Sequence, residues 1–316
     1  MPEGPALLEI RHAVRAWLSA HPGPVAVALS GGADSLALTA ATVAEASNVR
    51  ALIVDHGLQD GSAEVAATAA ARAHELGVLD ARVLPVHVTG AGGTEAAARR
   101  ARYEALNGAR GDASVLVAHT LDDQAETVLL GLSRGSGPRS IAGMTAFSAP
   151  WGRPLLGVRR SVTRAACVEL GLAPFEDPHN TDSDFTRVRL RHEVLPLLED
   201  VLGGGVAAAL ARTAEHLRED GDVLDALAET VAETDAPDLE VSAIEALAPA
   251  VRRRVLRRWL HGQGVTSSTD RQLRAVDALV GRWTGQGGVA LPGGTPGARL
   301  VCSRRHGRLS VGLENE

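Results

Sequence analysis

The sequence predicts an α/β fold, with a doubly wound, mainly parallel sheet followed by a smaller, mostly helical second domain that ends in a hairpin. Three patterns support this prediction. Short apolar runs alternate with helical segments through the first half of the chain, and long Ala/Leu helices follow Pro196. Alternating residues around Leu300 and Leu309 then follow a stretch rich in Gly and Pro. Strand–helix–strand repeats of this spacing favour parallel sheets, whose ligand sites lie at the carboxyl ends of the strands.

The elements follow from hydrophobic periodicity and turn residues. Predicted strands are Val25–Leu29, Ala51–Val54, Ala81–Val88 and Val115–Ala118, and the predicted helices between them are Ser35–Ala46, Ser62–Leu76 and Thr94–Leu106. The acidic stretch Glu215–Asp235 indicates a solvated connecting helix. We therefore expect a catalytic domain at residues 1–200, a linker at 201–236 and a second domain at 237–316.

Composition excludes several classes of enzyme. All 32 residues counted as Lys or Arg are arginine. A Walker-type phosphate loop, a pyridoxal-phosphate site and a self-adenylylating ligase each need a lysine, so all three are excluded. Cys167 and Cys302 form no Cys-x-x-Cys pair, which disfavours zinc and iron–sulfur sites and fits a reducing compartment.

Hydropathy and charge indicate where the protein acts. No apolar run reaches about 18 residues and no signal peptide is evident, so we expect a cytoplasmic protein without a membrane partner. The net charge is −6, yet residues 237–316 carry 12 arginines against 7 acidic residues. Five of these arginines lie at positions 252–254, 257 and 258. The basic second domain is therefore predicted to contact a polyanion such as RNA.

A glycine turn between the first strand and the next helix indicates a phosphate site. It consists of Ser30, Gly31, Gly32, Ala33, Asp34 and Ser35. The start of a helix presents unpaired backbone N–H groups, glycine lets phosphate oxygens approach, and serine adds hydroxyl donors. These six residues are predicted to bind a phosphate group.

A second polar string follows the fourth predicted strand, at His119 to Thr127. Asp122 and Glu126 lie one helical turn apart and so face the same way. Carboxylates at a strand end beside a phosphate loop suit a Mg²⁺ ion that bridges ATP phosphates, and Asp122 and Asp123 are the predicted ligands.

These motifs resemble the PP-loop of N-type ATP pyrophosphatases, and within that superfamily the tRNA(Ile)-lysidine synthases. The resemblance rests on Ser-Gly-Gly-x-Asp-Ser, on His-x-x-Asp-Asp-Gln-x-Glu-Thr, and on shorter motifs in the family's order. The shorter motifs are Asp55-His56-Gly57-Leu58, the helix Glu95 to Tyr103, Arg134 to Gly137, Arg153 to Leu156, Glu176 to Asn180, and Leu291 to Gly294. It implies a Rossmann-like catalytic domain.

The resemblance also implies a reaction. Members join free L-lysine to C2 of the wobble cytidine of tRNA(Ile) with a CAU anticodon, through an adenylated cytidine, and release AMP and pyrophosphate. ATP and Mg²⁺ are the implied cofactors. The implied catalytic residues are Asp34, Asp122, Asp123, Arg102 and His119. The implied nucleotide site comprises residues 30–35 together with Asp55 and His56. Substrate contacts are expected at Glu126, Arg99, Glu176, Asp177, Asn180, Arg187 and Arg191.

Two departures from the family's pattern and two alternatives stay open at this point. His179 stands where the family has Ser, and Val188 where it has Asn, which affects local hydrogen bonding in that loop. Base thiolation of a tRNA is one alternative, although it usually needs a cysteine pair. A nucleotide-binding protein without turnover is the other. The oligomeric state is undetermined, and a homodimer is one possibility.

Overall fold

The computed structural model describes residues 4–58, 61–88, 94–135, 137–177, 184–231, 236–295 and 297–315. The chain forms two compact units. The first comprises Met1–Leu130 and Gly143–Arg212, and the second comprises Gly131–Ala142 and Thr213–Glu316. The three-part division at residues 200 and 236 stays a prediction. His179 and Asn180 lie outside the described residues.

The first unit is built on a six-stranded sheet in the order β3-β2-β1-β4-β6-β5. Its strands are β1 Val25–Ala28, β2 Arg50–Asp55, β3 Asp80–Pro85, β4 Ser114–Leu116, β5 Phe147–Ser148 and β6 Trp151–Gly152. All neighbouring pairs are parallel except β5 with β6. The four predicted strands and their parallel arrangement are thus confirmed.

The helices before and within this unit are α1 Pro5–Ala20, α2 Ala33–Glu45, α3 Ser62–Glu75, α4 Thr94–Ala109, α5 Leu121–Arg134, α7 Arg160–Glu169, α8 Thr186–Arg189 and α9 Leu195–Val201. A π-helical turn, Leu190–Val194, joins α8 to α9. The short helix α6, Pro138–Ile141, belongs to the second unit. Two helices run from the first unit into the second: α5, which enters it at Gly131, and α10, Val206–Glu229.

Alternation along β1 places helices on both faces of the sheet. Val25 and Val27 pack in the large core that α1, α2, α3 and α7 share. Ala26, on the opposite face, packs with Leu106 of α4. Successive strand residues point to opposite faces, so the sheet is covered on both sides as predicted. β1 lies between β2 and β4, and the connections leave it on different faces, which opens a crevice at the carboxyl ends of these strands.

Besides α6 and most of α10, the described part of the second unit contains two further α-helices and an antiparallel sheet. The helices are α11 Pro249–Gly262 and α12 Asp270–Gly281, and the strands are β7 Asp238–Glu240, β8 Val289–Thr295, β9 Ala298–Arg305 and β10 Arg308–Asn315, in the order β7-β10-β9-β8. The predicted hairpin is β9 with β10. The Gly/Pro-rich stretch before it contains a strand, β8, because Gly293 and Gly294 form a bulge against β9 instead of a loop.

No single helix in the described ranges is both long and apolar enough to cross a membrane. One sharply bent pair, Thr186–Val201 with Val206–Glu229, passes that test only when its two halves are counted together.

Candidate active site

The phosphate loop follows β1 and leads into α2. Gly31 has a φ of +84°, in the left-handed region that favours glycine, and Gly32 is the N-cap residue of α2. The Ser35 hydroxyl donates to the Gly32 carbonyl oxygen at 2.9 Å and accepts from the Ser30 N–H at 3.2 Å. The two serine hydroxyls lie 3.1 Å apart. These bonds hold the turn between β1 and α2 in shape.

The loop presents donors to an incoming anion. α2 begins at Ala33, and the first N–H groups of a helix have no partner within it. In the part of the chain that the structure describes, no protein group accepts from the N–H groups of Gly32, Ala33 and Asp34. The positive end of the α2 dipole points the same way. The loop can therefore bind phosphate through its backbone.

A segment after α7 holds the back of this loop. The Phe175 N–H donates to the Gly31 carbonyl oxygen at 2.9 Å. A cavity of about 540 Å³ opens beside Gly31, between α3 and residues 173–175. The hydrogen bond from Phe175 therefore ties Gly31 to the segment after α7, with the cavity beside it.

Two carboxylates of α5 form a buried cluster with arginines. Glu126 is 0% exposed and lies 2.9 Å from Arg191 Nε and 3.2 Å from Arg160 Nη2. Asp123 lies 2.6 Å from Arg160 Nη2 and 3.3 Å from Arg191 Nη2, and it accepts the Thr120 N–H at 2.7 Å. The predicted substrate residues Glu126 and Arg191 are therefore in direct contact.

Asp34 links the phosphate loop to this cluster. Its Oδ2 lies 3.7 Å from Arg160 Nε, and its Oδ1 bonds to the Thr163 hydroxyl. The same hydroxyl lies 2.8 Å from the Arg160 carbonyl oxygen. Because Thr163 has one proton for two acceptors, it can donate to Asp34 when that carboxylate is ionised and to Arg160 when Asp34 carries a proton.

The pKa values of Asp34 and Asp123 shift in opposite directions. Burial raises the pKa of Asp34 above its ordinary value, although Thr163 and Arg160 oppose the rise. Burial also acts to raise the pKa of Asp123, but Arg160 and the Thr120 N–H outweigh it and the net shift is downward. Asp123 therefore stays charged in the core, while Asp34 is the carboxylate best placed to gain a proton or a cation.

Asp122 faces the start of α7. Its Oδ2 accepts the Arg160 backbone N–H at 2.8 Å, and Arg159 Nη2 lies 3.0 Å from its Oδ1. Arg159 also lies 3.7 Å from Glu199, whose carboxylate caps α10 through the N–H groups of Val206 and Ala207. Asp122 thus anchors α7, whose guanidinium groups neutralise the α5 carboxylates.

The predicted magnesium ligands do not form a metal site from protein groups alone. Asp122 and Asp123 are both engaged by arginines. The described ranges contain no group of three His, Cys, Asp or Glu side chains that could hold a metal ion. The residues present do not fit a resident Mg²⁺, and the assignment of Asp122 and Asp123 to a metal stays a prediction.

The predicted nucleotide residues after β2 pair with α4. Arg102 Nη2 lies 2.9 Å from His56 Nε2. An arginine can only donate, so Nε2 accepts and the proton of the neutral ring lies on Nδ1, which is buried without a partner among the described residues. Burial and the Arg102 charge lower the pKa of His56. The Asp55 carboxylate accepts the Gly57 N–H at 3.1 Å and shapes this turn.

His119 lies at the end of β4 among guanidinium groups. Burial lowers its pKa to about 4; the Asp123 charge opposes this shift, and the charges of Arg153, Arg99 and Arg187 add to it. Its Nδ1 is buried and has no partner in the described structure. Arg99 itself lies over the Tyr103 ring, 4.9 Å from the centroid. The imidazole is therefore neutral at pH 7 and able to accept a proton or a hydrogen bond.

Some predicted residues lie apart from the cluster. Glu176 is exposed and pairs with Arg164 on the surface at 3.0 Å. The negative charge of Asp177 acts to raise the pKa of His56, so Asp177 lies on the His56 side of the site. Sequence reasoning missed Arg159, Arg160 and Thr163. One signal was available, because two arginines at the start of a helix oppose its dipole and so indicate acidic partners nearby.

The arginine-rich helix α11 divides between core and surface. Arg252 is 9% exposed and lies 2.6 Å from Asp277. Arg254 pairs with Asp225 at 2.8 Å, and Arg258 pairs with Glu229. Arg253 and Arg257 have no acidic side chain within ion-pair distance in the described part of the chain. These two guanidinium groups are the ones on α11 available to an external anion.

Comparison with known proteins agrees with the geometry. The PP-loop domain family matches residues 9–198, and the TilS substrate binding domain family matches residues 239–310. The U34-tRNA thiolase NcsA of Methanococcus maripaludis, with its [4Fe-4S] cluster, has a similar fold. Its TM-score is 0.55 at 20% identity, over 68% of this chain and 80% of the thiolase. At that identity the likeness establishes the fold alone.

Full-length relatives are much closer in sequence. The tRNA(Ile)-lysidine synthase of Rhodococcus opacus is 67% identical over 100% of this chain and 98% of its own length. The synthases of Nocardia farcinica and Mycobacterium tuberculosis are 65% and 63% identical, over 96% and 91% of this chain and 97% and 90% of theirs. The chain has a PP-loop domain, which implies ATP use, followed by a TilS substrate-binding domain, in the order that the motifs predict. Because it also matches these relatives over nearly its whole length, this chain belongs to the tRNA(Ile)-lysidine synthase family.

Proposed function

We propose that the protein joins the side-chain amine of free L-lysine to C2 of the wobble cytidine of tRNA(Ile) with a CAU anticodon, using ATP. The observation that carries the proposal is the double role of Asp34. It belongs to the phosphate loop, and its carboxylate contacts Thr163 and Arg160 of α7. Arg160 also pairs with the α5 carboxylates Asp123 and Glu126. A nucleotide site and a site for a cationic amine are therefore adjacent.

The first step activates cytidine. Its O2 attacks the α-phosphorus of ATP, a new O–P bond forms, and the bond to pyrophosphate breaks. The free N–H groups of the loop, with the Ser30 hydroxyl, hold the leaving pyrophosphate and spread its charge. The Ser35 hydroxyl, which donates to the Gly32 carbonyl oxygen, keeps the turn in shape around it. When bound with ATP, Mg²⁺ supplies further neutralisation of the phosphates. His56 and Arg102 lie at the neighbouring strand end, where they can contact the nucleotide.

The second step forms the C–N bond. The lysine amine attacks C2, and the C2–O bond to AMP breaks. An ammonium ion is not a nucleophile, so it must first lose a proton. Asp34 can accept that proton, since burial raises its pKa, and the Thr163 hydroxyl then turns toward the Arg160 carbonyl oxygen. Asp123 and Glu126 supply the negative charge that attracts the amine.

The tRNA must present the cytidine out of its stack, which an anticodon loop permits. Arg99 and Arg187 lie near His119, where cationic groups suit the phosphates flanking the base. Arg253 and Arg257 of the second unit suit phosphates elsewhere on the tRNA. We place the reaction in the cytoplasm, where its tRNA substrate is found. A homodimer is compatible with this proposal but is not required by it.

A pyrophosphate-release assay tests the proposal. The reaction contains ATP, Mg²⁺, lysine and unmodified tRNA(Ile) with a CAU anticodon, and each substrate is omitted in turn. Release that requires both lysine and tRNA, with radiolabelled lysine entering the anticodon, is the expected result. Release without a lysine requirement would instead favour base thiolation, and no release would favour a binding protein.

A further inference from the structure

Arg160 is the cation at the centre of the carboxylate cluster. Its guanidinium lies 2.6 Å from Asp123, 3.2 Å from Glu126 and 3.7 Å from Asp34. Its backbone N–H binds Asp122 at 2.8 Å. The side chain is only 16% exposed, so these contacts are largely shielded from water. One residue therefore contacts all four carboxylates that the phosphate loop and α5 contribute.

The cluster is one positive charge short of neutral. Three carboxylates, those of Asp34, Asp123 and Glu126, face two guanidinium groups, those of Arg160 and Arg191. Arg159 is not counted, because it is shared by Asp122 and Glu199. The deficit lies at Asp34, whose Oδ2 has its nearest guanidinium nitrogen at 3.7 Å, whereas Asp123 and Glu126 each have one within 3 Å. A single ammonium group beside Asp34 would complete the charge balance.

We propose that Arg160 is a specificity-determining residue that occupies, as a tethered cation, the place among Asp34, Asp123 and Glu126 that a divalent metal ion would otherwise take. This inference rests on the proposed function, because it assigns the remaining charge to the lysine amine. Arg160 leaves a net charge of −1, which suits a monovalent ammonium. The position of Arg160 also explains why these carboxylates, although they lie beside the phosphate loop, do not form a resident Mg²⁺ site.

Removal of the Arg160 charge should convert the cluster into a metal site. In Arg160→Gln, the carboxylates of Asp34, Asp123 and Glu126 face the Arg191 guanidinium alone, and the net charge becomes −2. Carboxylate oxygens with that charge suit Mg²⁺ or Mn²⁺. Arg160→Lys keeps the charge but loses the planar fork that bonds Asp123 and Glu126 together, so it separates charge from geometry.

The experiment titrates Mn²⁺, followed by electron paramagnetic resonance, into nucleotide-free protein. We expect no stoichiometric binding by the wild type or Arg160→Lys, and one Mn²⁺ per chain bound at least tenfold more tightly by Arg160→Gln. Arg11→Gln is the matched control, because the Arg11 side chain is 19% exposed and its removal breaks a 2.7 Å pair with Glu45 between α1 and α2. It should behave as wild type.

Turnover gives a second, independent readout. Free Mg²⁺ is varied at fixed MgATP, and the KM for lysine should rise with free Mg²⁺ in Arg160→Gln but not in the wild type. Tight Mn²⁺ binding by the nucleotide-free wild type would overturn the proposal even if Arg160→Gln failed to fold. A folded Arg160→Gln without Mn²⁺ binding would also overturn it. Mn²⁺ binding by the variant, together with a wild type that never modifies tRNA, would retain the charge argument and reject the proposed function.

Discussion

The two glycines of the phosphate loop should respond differently to alanine. Gly32 has a φ of −75° and a ψ of 162°, which any residue adopts. An added Cβ would lie 3.6 Å from the Ser30 hydroxyl and 3.8 Å from the Phe175 carbonyl oxygen, which are ordinary contacts. Gly32→Ala loses about 0.5–1 kcal/mol at the N-cap and gains about 0.4–1 kcal/mol through the unfolded chain. The free energy of unfolding should be nearly unchanged.

The same methyl group should impair nucleotide binding. It would lie beside the Ser30 hydroxyl, in the same turn as the free N–H groups of residues 32–34. Phosphate oxygens would then lose their close approach to the backbone, and we expect the KM for ATP to rise at least tenfold, which corresponds to about 1.4 kcal/mol. Pyrophosphate release at several ATP concentrations measures this change, and thermal unfolding measures stability in parallel.

In Gly31→Ala, the substitution should be unfavourable because of backbone strain and not because of crowding by the new methyl group. Its φ of +84° makes alanine unfavourable by about 1–2 kcal/mol, while its nearest Cβ contacts, 3.5 and 3.7 Å, are ordinary. Gly111→Ala is the matched control, because Gly111 has a φ of +64° in the turn before β4 and its Cβ would contact only Arg50 at 3.9 Å. Both should lose stability, and Gly111→Ala should keep the wild-type KM for ATP. A folded Gly32→Ala with an unchanged KM for ATP would refute the reasoning.

Four further outcomes follow from the site. Asp34→Asn should abolish turnover, yet at pH 7 it should unfold at the wild-type temperature or higher. The pKa of Asp34 is raised in the folded protein, so above the ordinary carboxyl pKa its negative charge lowers the free energy of unfolding. A clearly lower unfolding temperature of the variant would contradict this. His119 stays neutral in the folded state, so its contribution to stability is complete above pH 6.5 and is lost as the pH falls toward about 4; unfolding of wild type and His119→Asn across that range should diverge. Thr163→Val should lower turnover about 2- to 10-fold by removing one hydrogen bond from Asp34, with Thr163→Ser restoring it and with the pH profile shifted only in the valine variant. Replacing Arg253 and Arg257 with Gln should weaken tRNA binding and reduce its dependence on salt concentration without changing the KM for ATP, as measured by filter binding at several salt concentrations.

Local patterns predicted the sheet well because its strands are set by local hydrophobic runs and turn residues. β1, β2, β3 and β4 lie where apolar runs end at polar or glycine residues. β6 could not be predicted, since Trp151–Gly152 is two residues long and exists as a strand through pairing with Val115 and Leu116 of β4. The π-helical turn at Leu190–Val194 likewise has no sequence signature.

The arginine cluster of α11 shows where a charge count misleads and periodicity corrects it. Arg252, Val255, Leu256 and Trp259 follow the spacing of one helix face, and all four are buried. Five arginines in sequence therefore do not give five arginines on one surface. Helical spacing alone would have assigned Arg252 to the core side, whereas its partner Asp277 lies on another helix and could not be found that way.

The candidate site likewise has one part that the local sequence predicts and one part that it does not. Backbone chemistry at Ser30 to Ser35 is encoded locally, because a strand, a glycine turn and a helix start create an anion site whatever surrounds them. The state of the carboxylates is not local. Asp123 and Glu126 become an ammonium site or a metal site according to Arg160 and Arg191, which lie more than thirty residues away in sequence. A motif can thus locate acidic groups, but their net charge, and so the ion they select, depends on partners that only the folded chain brings into contact.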